Sequence, residues 1–135
     1  MKNRLPIHDD WATPKALYDE LDREFHFDFD PCPLKATFDG LQIEWGRGNF
    51  VNPPYSRKLK EAFIIKASEE RKKGKLSVLL LPVSTSTWVF HEYIYGKAEI
   101  RFLRGRVKFA GVNSNGEYVE NKCGQHDSMI VVFRP

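Results

Sequence analysis

The sequence predicts a single α/β sandwich domain over residues 1–135, with a mixed sheet that is mostly parallel and has antiparallel strands at its C-terminal end. Three observations predict it. Apolar stretches of strand length alternate with stretches of helical period, the pattern of strand–helix–strand units. Leu76 to Leu81 is a continuous apolar run bounded by Gly74 and Pro82, as a strand buried on both faces requires. The turn pair Asn115-Gly116 and the β-branched segment Met129 to Phe133 then close the chain as a hairpin rather than a further crossover.

The elements follow in order. Thr13-Pro14 marks a helix start, with Thr as N-cap and Pro at the first helical position. Leu17, Tyr18, Leu21 and Phe25 then recur at helical spacing. His26-Phe27-Asp28-Phe29-Asp30 alternates and stops at Pro31, as a short strand does. Residues 34–47, with Asp39-Gly40 and Trp45-Gly46, read as irregular. Gly48 to Val51 is the next strand, ended by Asn52-Pro53-Pro54-Tyr55. Arg57 to Lys73 is a helix with Leu59, Ala62, Phe63 and Ala67 on one face, stopped by Gly74. Its Glu61, Glu69, Glu70 and lysines read as a solvated face. Ser84 to Tyr95 is expected to be a further helix, and Ala98 to Phe109 one strand, or two with a bend at Gly105.

Composition narrows the function classes. The chain is 41% hydrophobic and 29% charged, which is ordinary for a globular domain. A net charge of +3 and a pI near 8.9 permit nucleic-acid binding without demanding it. No apolar run has the length of a membrane span, and Met1 to Pro6 lacks the apolar core of a signal peptide. Cys32 and Cys123 form no CxxC pair, and with four scattered histidines they make no metal signature. The expectation is a reduced, metal-free protein of the cell interior.

Asn52-Pro53-Pro54-Tyr55 carries the most chemistry. Each proline fixes its own φ and restricts the residue before it to extended backbone. The Asn52 carboxamide and the Pro53 carbonyl are thereby held as two uncharged acceptors, suited to the two N–H groups of a planar amino group. Tyr55 is an aromatic plate for the ring carrying that group. These parts suit methyl transfer to an exocyclic nitrogen. In open α/β sheets ligands sit at the carboxyl ends of strands. Asp30-Pro31 and Asn52-Pro53 both fall at such ends and are expected to line one crevice. Arg104, Arg106 and Lys108 alternate along one expected strand and would share a face toward phosphates, or form a solvated edge. Trp88 and His91 follow the Pro82 strand end and are placed to border a base pocket, although a lone histidine among aromatics is more often structural.

Taken together, Thr13-Pro14, Asp30-Pro31-Cys32 and Asn52-Pro53-Pro54-Tyr55, in that order, resemble the S-adenosylmethionine-dependent amino-methyltransferases. The closer resemblance is to the phage-type DNA N-6-adenine methyltransferase family. It runs through Trp11-Ala12-Thr13-Pro14, Phe29-Asp30-Pro31-Cys32, Asp39-Gly40-Leu41 and Phe50 to Ser56. It continues through Leu80-Leu81-Pro82 and Phe102-Leu103-x-Gly105-Arg106-x-x-Phe109, covering almost the whole chain.

The resemblance implies a reduced Rossmann-like methyltransferase sandwich that transfers a methyl group from S-adenosylmethionine to N6 of a flipped adenine in DNA. It implies catalytic roles for Asn52, Pro53, Pro54 and Tyr55, and cofactor contacts from Trp11, Thr13, Asp30, Pro31, Cys32 and Asp39. Asp30 would hold the cofactor's amino group and Thr13 its carboxylate. Tyr55, Ser56, Arg104, Arg106 and Lys108 would meet DNA. The implied setting is the cytoplasm of a bacterial host of a phage or prophage, with no metal, no membrane and a homodimer left open. Two departures from the wider pattern stand out: no glycine-rich turn follows Cys32, and only the short segment 34–51 separates Pro33 from the clamp. The acid for the cofactor ribose must then come from a short loop, Asp39 first and Glu44 second. The tetrapeptide fits any planar amino group, so RNA and protein glutamine remain alternative substrates. A non-catalytic nucleic-acid-binding module of the same fold is the third reading.

Overall fold

The computed structural model describes residues 11–54, 56–112, 118–123 and 126–135. In chain order its elements are β1 (Trp11–Ala12), α1 (Lys15–Phe25), β2 (Gly48–Val51), α2 (Arg57–Arg71) and β3 (Leu76–Pro82). A short π-helical segment (Phe90–Ile94) follows, then β4 (Glu99–Phe102), β5 (Lys108–Val112), β6 (Tyr118–Cys123) and β7 (Ser128–Phe133). The main sheet runs β2-β3-β7-β4, and a smaller antiparallel sheet runs β1-β5-β6.

The main sheet is mixed but mostly antiparallel, which corrects the mostly parallel sheet expected from the sequence. β2 and β3 form its one parallel strand pair, and β7 pairs antiparallel with both β3 and β4. The reason lies in strand order. β2, β3 and β4 all point the same way, but β7 enters between β3 and β4 and reverses two of the adjacent pairs. A parallel neighbour needs a crossover of a dozen or so residues. Here α2 alone supplies one.

Alternation along β3 and β7 divides the core. Leu79, Leu81, Val131 and Phe133 face one side with Phe63, Ile64 and Ala67 of α2, Trp45 and the π-helical segment. Val78, Leu80, Ile130 and Val132 face the other with Leu21 and Phe25 of α1 and Phe109 of the small sheet. Both faces are therefore covered, as the uninterrupted apolar run of β3 requires. Phe63 is 1% exposed, and truncating it to alanine would cost about 3–5 kcal/mol.

Local chemistry sets the element ends. α1 closes at His26 in the left-handed region (φ 57°), its N–H donating to the Asp22 carbonyl. α2 closes before Gly74, whose φ of +84° suits glycine. The stretch from 26 to 30 is not a full strand: Phe29 makes a single parallel bridge to Asn49. Residues 34–47 are turns, as expected. Ser84 to Tyr95 does not form a whole helix, since bends and turns occupy it up to Thr87. Arg104 and Gly105 make a bend between β4 and β5, with Gly105 at φ +74°. The turn pair Asn115-Gly116 lies outside the described residues.

Glu70 overturns the reading of α2's charges as a solvated face. Its side chain is 1% exposed. Trp45 N–H donates to Oε1 at 2.9 Å, Lys75 Nζ donates to the same oxygen at 3.1 Å, and Lys73 Nζ donates to Oε2 at 3.0 Å. Burial pushes this carboxyl up, but the Trp45, Lys73 and Lys75 hydrogen bonds overcome that and hold it at about 2. The network fixes the irregular loop from α2. Trp45 Nε1 in turn donates to the Gly40 carbonyl at 2.7 Å. Gly40 packs so tightly on Pro31 that a Cβ there would meet the Pro31 carbonyl oxygen at 1.8 Å. Glu70, Trp45 and Gly40 thus form a chain of contacts that backs Asp30-Pro31-Cys32.

Candidate active site

A single-bridge segment and a strand end meet at one crevice. The Phe29–Asn49 bridge, with Phe50 N–H donating to the Phe29 carbonyl at 3.1 Å, sets Asp30 to Cys32 beside the carboxyl end of β2. Asn52 leaves β2 at that end. A cleft of about 220 Å³ opens there, lined by Ala12, Thr13, Asp30, Cys32, Phe50 and Asn52 among others. Four sequence-predicted site residues, Thr13, Asp30, Cys32 and Asn52, therefore share one cleft.

Thr13 does not cap α1, contrary to expectation. The cap position belongs to Pro14, at φ −57° and ψ 137°, with no side-chain hydrogen bond. The Thr13 hydroxyl instead accepts from Asn52 Nδ2 at 3.0 Å. An amide nitrogen and oxygen point opposite ways, so this bond turns Asn52 Oδ1 away from Thr13. Residue 13 is thus an orienting partner for residue 52, a link across 39 positions that no local pattern could reveal.

Asp30 forms a turn across Pro31: its Oδ1 accepts from Cys32 N–H at 2.8 Å. The carboxylate still lines the cleft and lies close enough to Tyr18 to act on it. The Tyr18 phenol is pushed above its ordinary value, first by burial, then by Asp22, Asp30 and Asp19. It therefore stays protonated, as a donor. Cys32 is buried, packed with the α2-side core. Pro31 is buried beneath Gly40.

Asp39 does not line the cleft among the described residues. Its Oδ1 accepts from Leu41 N–H at 3.0 Å, so its carboxylate braces its own turn. Glu44 pairs with Lys73 at 3.3 Å instead. Pro53 and Pro54 are buried, and Pro53 lines a small recess with Asn52, Leu81, Pro82 and Phe109. Tyr55 lies outside the described residues. Ser56 caps α2, its hydroxyl accepting from Leu59 N–H at 3.5 Å. Trp11 is known by its backbone, paired with Gly111 in the small sheet.

The three cations do not share a strand face. Arg104 lies in the bend, Arg106 follows it and pairs with Asp127 at 3.6 Å, and Lys108 alone belongs to β5. All three are exposed. Period-2 reasoning failed because Gly105 breaks the strand between them.

Tyr18 and Phe50 are cleft residues that the sequence reading assigned to core and strand. Their rings meet edge to face, centroids 5.2 Å apart. The helical period that marks Tyr18 as apolar says nothing of its hydroxyl end. Among the described residues no group of three His, Cys, Asp or Glu side chains could hold a metal ion.

The arrangement presents a carboxylate, hydroxyls and aromatic faces beside an oriented carboxamide, which suits a cationic ligand next to a hydrogen-bonded amino group. No curated protein matches the chain by sequence. A model of the family described as DNA N-6-adenine-methyltransferase (Dam) matches residues 2–135, nearly the whole length. Coverage of that extent, with Asn52 of the Asn-Pro-Pro-Tyr motif at the cleft, shows that the chain belongs to the DNA N-6-adenine-methyltransferase (Dam) family.

Proposed function

We propose that the protein methylates the N6 amino group of adenine in DNA, using S-adenosylmethionine. The observation that carries this reading is the Asn52–Thr13 hydrogen bond at the mouth of a cleft containing Asp30. The donor set fits an amino-acid-bearing sulfonium. Asp30 offers a carboxylate to an ammonium group, and the Tyr18 and Phe50 rings offer faces to a cation. When bound, that cofactor supplies an electrophilic methyl group.

The rest of the chemistry belongs to the chain. Asn52 Oδ1 and the Pro53 carbonyl accept the two N–H groups of the adenine amino group. Its lone pair is delocalised into the ring, and two fixed acceptors draw the nitrogen toward a tetrahedral shape. They also stabilise the positive charge that develops on it, which is preorganised electrostatic catalysis. Once cationic, the nitrogen loses its proton readily, and no strong base is needed. Thr13 is the positioning residue: by accepting from Nδ2 it commits Oδ1 to the substrate. Tyr55 stacks on the flipped base and repays roughly 1–3 kcal/mol of the cost of a few kcal/mol of extrusion. The sheet is proposed as a reduced Rossmann-like one, supported by three co-directional strands with the reversed β7 set among them.

The test offers the protein labelled cofactor with duplex DNA, RNA and a glutamine-bearing protein side by side. Label in DNA alone is expected. Label in RNA or protein alone would move the clamp to another amino substrate. No label anywhere, with cofactor unbound, would favour a non-catalytic module.

A further inference from the structure

A second cavity is larger than the cleft described above. It measures about 420 Å³ and lies between the first turns of α2, the end of β3 and the segment that follows it. It shares no lining residue with the Asp30 cleft. Its floor is apolar, formed by Ile64, Leu81, Phe90 and Met129. Trp88 stands at its rim, 57% exposed, with Tyr93 against it edge to face at 5.7 Å between centroids. Lys60 and Arg57 supply positive charge to the wall, and Glu61 supplies one negative charge.

Lys60 is the informative group. It is half-buried, yet its ammonium makes no hydrogen bond or ion pair with any described residue. Burial pushes its ammonium down, Glu61 offsets that, and Arg57 adds to it. Glu61 is already bonded to Arg57 Nε at 3.3 Å. A partly desolvated cation without its own counter-ion is costly and is relieved by an anion from outside. A lone phosphate would leave the apolar floor and the tryptophan unused, and the volume is that of a small-molecule site. An aromatic plate, an apolar floor and two cations together suit a base with its phosphate. Leu81 and Pro82 line both this cavity and the recess holding Asn52 and Pro53. A ligand here therefore sits beside the position of the reacting amino group.

We infer that this cavity is a nucleotide subsite, taking the base and phosphate of the nucleotide next to the target adenine. The inference rests on the DNA-methylation reading. Lys60 and Arg57 meet the phosphate, Trp88 stacks on the base, and grip on a neighbour holds the strand while the adenine is extruded.

The experiment titrates a short fluorescent duplex over a range of salt with wild type, Lys60→Gln, Trp88→Ala and Trp88→Phe. Lys60→Gln is expected to reduce the slope of log affinity against log salt by about 0.9, the loss of one phosphate contact. Trp88→Ala is expected to weaken binding roughly 5- to 150-fold, the loss of one stacked base, and Trp88→Phe to restore most of it. Cofactor affinity should be unchanged in all three. A 5-iododeoxyuridine placed beside the adenine should photocrosslink to Trp88. An unchanged slope in Lys60→Gln, or unchanged affinity in Trp88→Ala, overturns the subsite and leaves methylation standing. Wild-type protein that binds no duplex and transfers no methyl group to DNA overturns both.

Discussion

Replacing Glu70 by glutamine tests the anchoring of the loop behind the cleft. Glutamine keeps the shape and can still accept from Trp45 N–H and Lys75 Nζ through Oε1, but its NH₂ would replace Oε2 and face the ammonium group of Lys73. The carboxyl is held at about 2 against an ordinary 4.5. That gap of roughly 2.5 units converts to about 3 kcal/mol at about 1.4 kcal/mol per unit. The partner lysines reach solvent, Lys73 at 47% and Lys75 at 18% exposed, so screening reduces the figure to about 2 kcal/mol. Because the folded value lies below the unfolded one, this stability is complete above pH about 4.5 and is lost as pH falls toward 2. Glu70→Gln should therefore lower Tm by about 8 °C at pH 7. The gap between variant and wild type should close as pH falls toward 2. Thermal denaturation by circular dichroism across pH reads both. A Tm within a degree or two of wild type at pH 7, or a gap undiminished at the acid end, would refute the reasoning.

Further predictions follow from the cleft. Asp30→Asn should keep the turn onto Cys32 N–H yet weaken cofactor binding strongly in calorimetry, whereas a purely structural Asp30 would show no loss. Thr13→Val should lower kcat several-fold while leaving cofactor affinity largely intact, and Thr13→Ser should restore it. The Ser77 hydroxyl, fully buried in β3, has no hydrogen-bond partner among the described residues. Ser77→Ala should therefore raise stability by about 1 kcal/mol in urea denaturation.

Where the determinants are local, the sequence was legible. The β3 run, the α2 stop at Gly74 and the final strand are set by apolar patterning and a single glycine, and they stand within one or two residues of expectation. The order of strands in the sheet was not legible. Nothing in Met129 to Phe133 says that β7 will enter between β3 and β4. The helix expected at 84–95 rested on composition, and the hydroxyl-rich Ser84 to Thr87 is turned aside by its own side chain–backbone bonds, Thr87 Oγ1 donating to the Ser84 carbonyl at 2.8 Å.

The candidate site shows the same division. Strand-end proline motifs placed Asp30 and Asn52 in one cleft, because such motifs act through the backbone beside them. Roles set by distant partners were hidden. Thr13 serves Asn52 rather than its own helix, Asp39 serves its own turn rather than the cleft, and Glu70 is neutralised by lysines and buried beneath a loop that sequence could describe only as irregular. Arg104, Arg106 and Lys108 were separated by one bend at Gly105.

The most direct test is mass spectrometry of nucleosides from duplex DNA incubated with S-adenosylmethionine and either wild type or Asn52→Ala. Wild type should yield N6-methyldeoxyadenosine as the methylated product. Asn52→Ala, folded and still binding cofactor, should yield about 10²- to 10³-fold less, the usual cost of losing one preorganised polar group. N6-methyldeoxyadenosine formed by Asn52→Ala at the wild-type rate, or its absence from wild-type reactions in which the cofactor is bound, would contradict the clamp and the activity built on it.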